Sequence, residues 1–103
     1  YIDNKKPQNA RYTLWPHRFS RHNTERGEKA IKKYVNLANK YKIPPSTFAN
    51  AFVNDRKFVT SNIIGATSLS QLKENIDSIN ITLSEEILKE IQEIHLFDPN
   101  PCV

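Results

Sequence analysis

The chain has 103 residues, 38% hydrophobic and 25% charged, and its 15 Lys+Arg outweigh 11 Asp+Glu to leave a net charge of +4. That length suits one domain with a modest core, and the mixed charge signs with a moderate apolar fraction exclude a disordered tail. No stretch approaches the roughly 18 uninterrupted apolar residues of a membrane span, and the opening Tyr1-Ile2-Asp3-Asn4-Lys5-Lys6 has no apolar core of a signal peptide. Neither an integral membrane protein nor a membrane partner is expected.

The one cysteine, Cys102, cannot form an internal disulfide and points to a reducing, cytoplasmic setting. Methionine is absent throughout, so the expectation is a domain, a processed piece or a fragment. Charge is unevenly placed: residues 1–42 hold eleven Lys/Arg against three Asp/Glu, and residues 43–103 hold four against eight. A nucleic acid, a phosphorylated ligand and an acidic partner are all compatible with that asymmetry, and so is a solvated basic helix face beside a basic loop.

In chain order, residues 1–23 read as an irregular loop. Pro7 and Pro16 interrupt any helix, and Tyr12, Trp15 and Phe19 alternate with Arg11, His17, Arg18, Arg21 and His22. Long ordered loops of this kind are usually lids or binding loops. Ala30, Ile31, Tyr34, Leu37, Ala38 and Tyr41 then recur at helical spacing, predicting a helix over about 24–42 with Asn23 or Thr24 as its cap. Pro44-Pro45 ends it and opens a second, apolar helix over 45–55.

The β-branched and aromatic run Phe58-Val59-Thr60-Ser61-Asn62-Ile63-Ile64 predicts a strand, closed by Gly65. Leu69, Leu72, Ile76 and Ile79 share one face of a helix over 68–79, and Ser68-Leu69-Ser70-Gln71 fits a capping box at its start. A last helix over 83–96 presents Ile87, Leu88, Ile91 and Ile94 on one side. A lone strand needs neighbours on both edges, so the inventory points to a piece of a larger α/β unit.

The stretch from Ile63 to Asn75 carries the chemistry. A strand entering a small-residue turn and then a helix N-terminus gathers free N–H groups and the positive end of the helix dipole, a setting for an anion. Gly65 and Ala66 allow close approach, Thr67 and Ser68 add hydroxyls, and Gln71, Glu74 and Asn75 can converge on the same opening. That is a site for a phosphate beside a heterocycle or ribose. The same pattern also describes an ordinary strand-to-helix turn with a serine cap, and neither a P-loop lysine nor a G-x-G-x-x-G fingerprint is present.

This segment resembles the last βα unit of the aldo-keto reductases, above all their Tas-like and potassium-channel β-subunit branch, in which a "GA[ST]xxxQLxENI" run follows the final barrel strand. The likeness extends along the chain. Tyr1 resembles the end of an "SGKY" motif. Pro7 to Trp15 and Arg18 to Arg21 resemble the loop that covers the cofactor, Ala49-Asn50-Ala51-Phe52-Val53 an "ALAFV" helix, and Leu83-Ser84-Glu85 through Pro99-Asn100-Pro101 the closing helix and tail.

The resemblance implies the C-terminal portion of a (β/α)8 TIM barrel, and an NADP(H)-dependent oxidoreductase reducing aldehydes and ketones. In such barrels a phosphate site typically lies by the loops after strands 7 and 8. It further implies that Gly65, Ala66, Thr67, Ser68, Leu69, Ser70, Gln71, Glu74 and Asn75 hold the adenosine 2′-phosphate and adenine. Arg11 matches a loop arginine that contacts the cofactor, across a loop one residue different in length. Gln71 stands where many members carry an arginine stacked on adenine. The family's catalytic Asp, Tyr, Lys and His come from the earlier part of the barrel, so the chain alone is expected to be inactive, with no metal site.

His17, His22 and His95 fit no zinc spacing. His95 reads as a helix-end residue, Tyr34 and Tyr41 as core, and Trp15 and Phe19 as loop packing or as lining of a substrate or cofactor mouth. The expected partners are NADP(H) and a carbonyl substrate, with missing barrel residues or a second copy covering exposed apolar faces. Two other readings stay open: a basic helical nucleic-acid module using Lys5, Lys6, Arg11, Arg18, Arg21, Arg26, Lys32 and Lys33, and a non-catalytic regulatory or assembly module.

Overall fold

The computed structural model describes residues 2–18 and 20–102, together with all their side chains except those of Asn4 and Arg21. Tyr1 and Phe19, read above as a motif end and a loop aromatic, lie outside the described residues. The elements are helices: α1 (Arg11–Leu14), α2 (Glu25–Lys40), α3 (Pro45–Asn54), α4 (Leu69–Asp77) and α5 (Glu85–Phe97), with 3-10 turns at Ile2–Asn4, Ser20–His22 and Ser78–Asn80. The described residues of the loop expected over 1–23 thus form one short helix and two 3-10 turns.

Capping chemistry sets most of the boundaries. Thr24 Oγ1 accepts from Gly27 N at 3.0 Å to open α2, whose first turn carries Glu25 and Glu28 against the dipole. At its far end Ile43 N donates to Ala38 O and Lys42 N to Asn39 O, both at 3.0 Å, while Lys42 adopts φ 56°. This is a Schellman closure with lysine in the left-handed position where glycine is usual. Ile43 then turns inward against the core. Pro45 begins α3, where its missing N–H has no consequence. Ser84 Oγ accepts from Ile87 N at 3.3 Å to open α5, followed by Glu85 and Glu86.

The core lies where α2, α3 and α5 meet. Leu37 and Ala38 from α2, Phe48 and Ala51 from α3, and Ile87 and Ile91 from α5 are buried together with Leu83. Tyr34, Tyr41, Phe52 and Ile94 pack around them. Both ends of the described chain fold back onto α2. Lys32 pairs with Asp3 at 2.7 Å, and Arg26 grips Asp98 through Nε and a terminal nitrogen at 2.6 and 2.5 Å.

The strand expected over 58–64 is not present: no strand occurs among the described residues, and 61–66 carries no regular structure. The physical reason is the one that made a single strand incomplete. A strand is a pairing, and nothing among the described residues offers this segment a ladder. Its side chains are correspondingly uncovered, Phe58 at 85% and Ile63 at 97% exposure. The apolar face expected on α4 also remains open, with Leu69 86% exposed and Ile76 and Ile79 exposed beside it.

α4 is held to α3 by polar side chains instead. Glu74 accepts from the hydroxyl of Ser46 and, at 3.3 Å, from that of Thr47. Asn50 donates to Asn75 at 3.0 Å, and Asn54 to the hydroxyl of Ser78 at 3.1 Å. Ser78 is buried and donates in turn to the Asn75 carbonyl, so α4 tightens into the 3-10 turn Ser78–Asn80 at the end of the helix expected over 68–79.

Candidate functional site

The turn from Gly65 into α4 is open to solvent, every residue from Gly65 to Gln71 being exposed. Ser68, in extended backbone conformation, caps α4 by accepting from Gln71 N at 3.2 Å. A capping box would return the Gln71 side chain to the Ser68 N–H. Here Gln71 Oε1 reaches one residue further back, accepting from Thr67 N at 2.9 Å and from Thr67 Oγ1 at 3.0 Å. Asn75 Nδ2 donates to the Gly65 carbonyl at 3.1 Å, and Ser68 and Ser70 share a hydroxyl contact at 3.0 Å. The turn is therefore clamped at Gly65, Thr67 and Ser68 by side chains of α4 itself.

That clamping leaves a set of donors unused. Among the described residues, the backbone N–H groups of Gly65, Ala66, Ser68, Leu69 and Ser70 have no protein acceptor. A Cβ built on Gly65 would meet nothing within 4 Å, and its φ is not positive. Neither packing nor backbone conformation requires a glycine there, so the space beside it is free for a ligand. Helix-start amides with a dipole behind them favour an anion. The lone cation of α4, Lys73, is occupied by Asp77 at 2.7 Å.

The expected convergence of three side chains is met by two. Gln71 and Asn75 return to the turn, whereas Glu74 is directed to Ser46 and Thr47 at the start of α3. Arg11 is an exposed residue that opens the short α1. The principal packing of α4 is with α3 and the turn after it, so α1 is not among its main partners. An open cavity of about 400 Å³ adjoins the other side of Asn75, bounded by Asn62, Ile64, Ile76 and Ile79.

Three residues that sequence reasoning passed over, Asn50, Asn54 and Asn62, belong to this arrangement. Asn62 donates to Asn54 Oδ1 at 3.1 Å and to Asn50 Oδ1 at 3.5 Å. The signal available was Asn50 and Asn54, four apart, interrupting the apolar face of α3.

Burial pushes the Tyr34 phenol up, and the hydrogen bond to Glu90 pushes Tyr41 up, away from a proton donor's useful range. Among the described residues no group of His, Cys, Asp and Glu could hold a metal ion. His95 is an exposed residue near the end of α5. In the basic first half Arg26 pairs with Asp98, Lys29 with Glu25, Lys32 with Asp3 and Glu28, and Lys40 with Glu90, while Lys33 sits 3.2 Å over the Phe97 ring. Among the described residues no helix is long and apolar enough to cross a membrane.

The sequence that folds this way is matched by known proteins along almost its whole length. Residues 2–96 fit the aldo/keto reductase family, and the chain belongs to that family. It is 42% identical over 95 residues to protein tas of Escherichia coli (strain K12), covering 92% of this chain and 27% of that protein. It is 30% identical over 99 residues to an aldo-keto reductase of Babesia bovis, covering 92% of this chain and 35% of that protein. Norsolorinic acid reductase of Aspergillus flavus is 29% identical over 74 residues, 72% of this chain and 19% of that protein. The chain thus spans about a quarter of the length of the first of these relatives.

Proposed function

We propose that the chain is the NADP(H)-binding C-terminal part of a (β/α)8-barrel reductase that converts aldehydes or ketones to alcohols. The family match over residues 2–96 supports the chemistry, and the single observation that carries the site is the set of acceptor-less N–H groups at Gly65, Ala66, Ser68, Leu69 and Ser70. Gly65, Ala66, Ser68, Leu69 and Ser70 would give backbone donors to the 2′-phosphate, with the Thr67 and Ser68 hydroxyls beside them. Gln71 and Asn75 would hold the turn and offer their remaining amide hydrogens to the adenosine. Glu74 would act by fixing α4 against α3, and Arg11 would reach the nucleotide from the loop of residues 1–23.

When bound, NADPH supplies hydride to the carbonyl carbon. The residues described here bind and orient, and the proton donor and its partners would come from other parts of the barrel, leaving the chain inactive alone. In that setting the segment 58–64 is the last barrel strand, and the rest of the barrel, or a second copy, covers Phe58, Ile63 and the α4 face. A carbonyl substrate and a cytoplasmic location complete the reading.

Titration of the chain with 2′,5′-ADP and with 5′-ADP tests it. Tighter binding of the 2′-phosphorylated nucleotide, weakened by Ser68→Ala, is expected; equal binding of the two overturns it. An affinity for nucleic acid falling steeply with salt would favour the basic-module alternative, against which stands the internal pairing of Arg26 and Lys32.

A further inference from the structure

Asn50 is half-buried on α3. We propose that Asn50 is a positioning residue which, through Asn75, sets the orientation of the Gly65–Ala66 peptide and so aims the turn at its ligand. The inference rests on the nucleotide reading of that turn.

Four residues form a chain of amides with a single direction. Asn62 Nδ2 donates to Asn50 Oδ1 at 3.5 Å, Asn50 Nδ2 donates to Asn75 Oδ1 at 3.0 Å, and Asn75 Nδ2 donates to the Gly65 carbonyl at 3.1 Å. Each internal amide accepts behind and donates ahead. A half-turn of Asn75 would set its oxygen against the Gly65 carbonyl and its NH2 against that of Asn50, so Asn50 fixes which way Asn75 faces. Linked amides of this kind also polarise one another.

The consequence falls on Ala66. The Gly65 carbonyl and the Ala66 N–H belong to one planar trans peptide and point in opposite directions. Drawing the carbonyl toward Asn75 turns the Ala66 N–H outward, where it has no protein acceptor. The two ends of the relay, Asn62 and Gly65, bracket the unladdered Ile63-Ile64, so the same bonds hold a segment that no sheet holds. A leucine at position 50 would supply none of this.

Two variants of the full chain test the assignment. Asn50→Leu removes both links. Asn50→Asp keeps the shape and the acceptor toward Asn62 but has no hydrogen for Asn75. Both are expected to weaken 2′,5′-ADP binding about tenfold, the effect of one linked hydrogen bond. Both should also shift the Ala66 amide resonance of the nucleotide-free chain, while the amides of Ile87 and Ile91 stay in place. Should Asn50→Leu fail to fold, Asn50→Asp decides. Wild-type affinity in Asn50→Asp, or an unmoved Ala66 resonance, overturns the proposal. A wild-type chain that ignores 2′,5′-ADP while Ala66 still shifts overturns the nucleotide reading and supports the relay.

Discussion

Gln71 accepts two hydrogen bonds from Thr67, one from its backbone N–H at 2.9 Å and one from its hydroxyl at 3.0 Å. The Gln71 side chain is thus spent, on its oxygen side, in shaping the turn. Gln71→Glu retains both acceptor bonds and suits the helix start, yet sets a negative charge beside the phosphate donors. Stability by urea unfolding should stay within about 0.5 kcal/mol of wild type, as for most exposed substitutions. The affinity for 2′,5′-ADP should fall by more than about tenfold, and salt should restore part of the loss by screening. Unaltered affinity in Gln71→Glu would remove the phosphate from this turn.

Gly65 offers a separate test because the fold has no use for its missing side chain. A Cβ there touches nothing within 4 Å and the residue has no positive φ. Gly65→Ala should leave Tm unchanged or raise it slightly, since alanine restricts the unfolded chain by about 0.4–1 kcal/mol where the conformation permits. Nucleotide affinity should drop, because the methyl group occupies the ligand's approach. A variant that binds as well as wild type would show the glycine to be incidental.

The Arg26–Asp98 clamp sets a pH dependence. Its hydrogen bond and positive charge hold the Asp98 carboxyl below the usual carboxylate range. A carboxyl depressed in the folded state adds stability above its unfolded pKa, and that stability is lost as pH falls through the lower folded value. Wild type should therefore melt above Asp98→Asn at pH 7, with the difference closing as the solution is acidified below the range of a free aspartate. Thermal melts across that interval check the sign. A gap that widens on acidification contradicts the assignment.

Phe58, Ile63, Leu69, Ile76 and Ile79 are all uncovered, and apolar surface of this kind drives association. The chain on its own should sediment with a concentration-dependent increase in mass, and Ile63→Lys with Ile76→Lys should abolish it. A wild-type chain that stays monomeric across the accessible concentrations would mean these side chains find cover within one molecule.

How much was legible in the sequence follows from how local each feature is. The helices were, because Thr24, Ser68 and Ser84 cap and Pro45 opens within the segments they begin, and because Leu37, Phe48, Ile87 and Ile91 fall on helical spacing. The strand over 58–64 was not, since β-branched composition states only a preference for a pleated, half-buried surface and the ladder depends on other residues. At the turn, Gly65, Ser68 and Gln71 were read from their order. The direction of Glu74 toward Ser46 was not, because it depends on how α3 lies against α4. The partners of Asn50 and Asn62 were hidden for the same reason: the four-residue spacing of Asn50 and Asn54 marks a polar stripe on α3 but does not say which residues bond to it.

The seam between α3 and α4 has a consequence for how the molecule comes apart. Apolar burial joins α2, α3 and α5, whereas amides and hydroxyls join α4 to α3. Water competes directly for such groups, so α4 should open as a separate low-energy unit while the three-helix body persists. Native-state deuterium uptake would then sort the backbone into a quick class around residues 65–77 and a slow class around Ile87 and Ile91. A ligand seated at the head of α4 would slow the quick class alone, giving occupancy a signature that needs no turnover to detect.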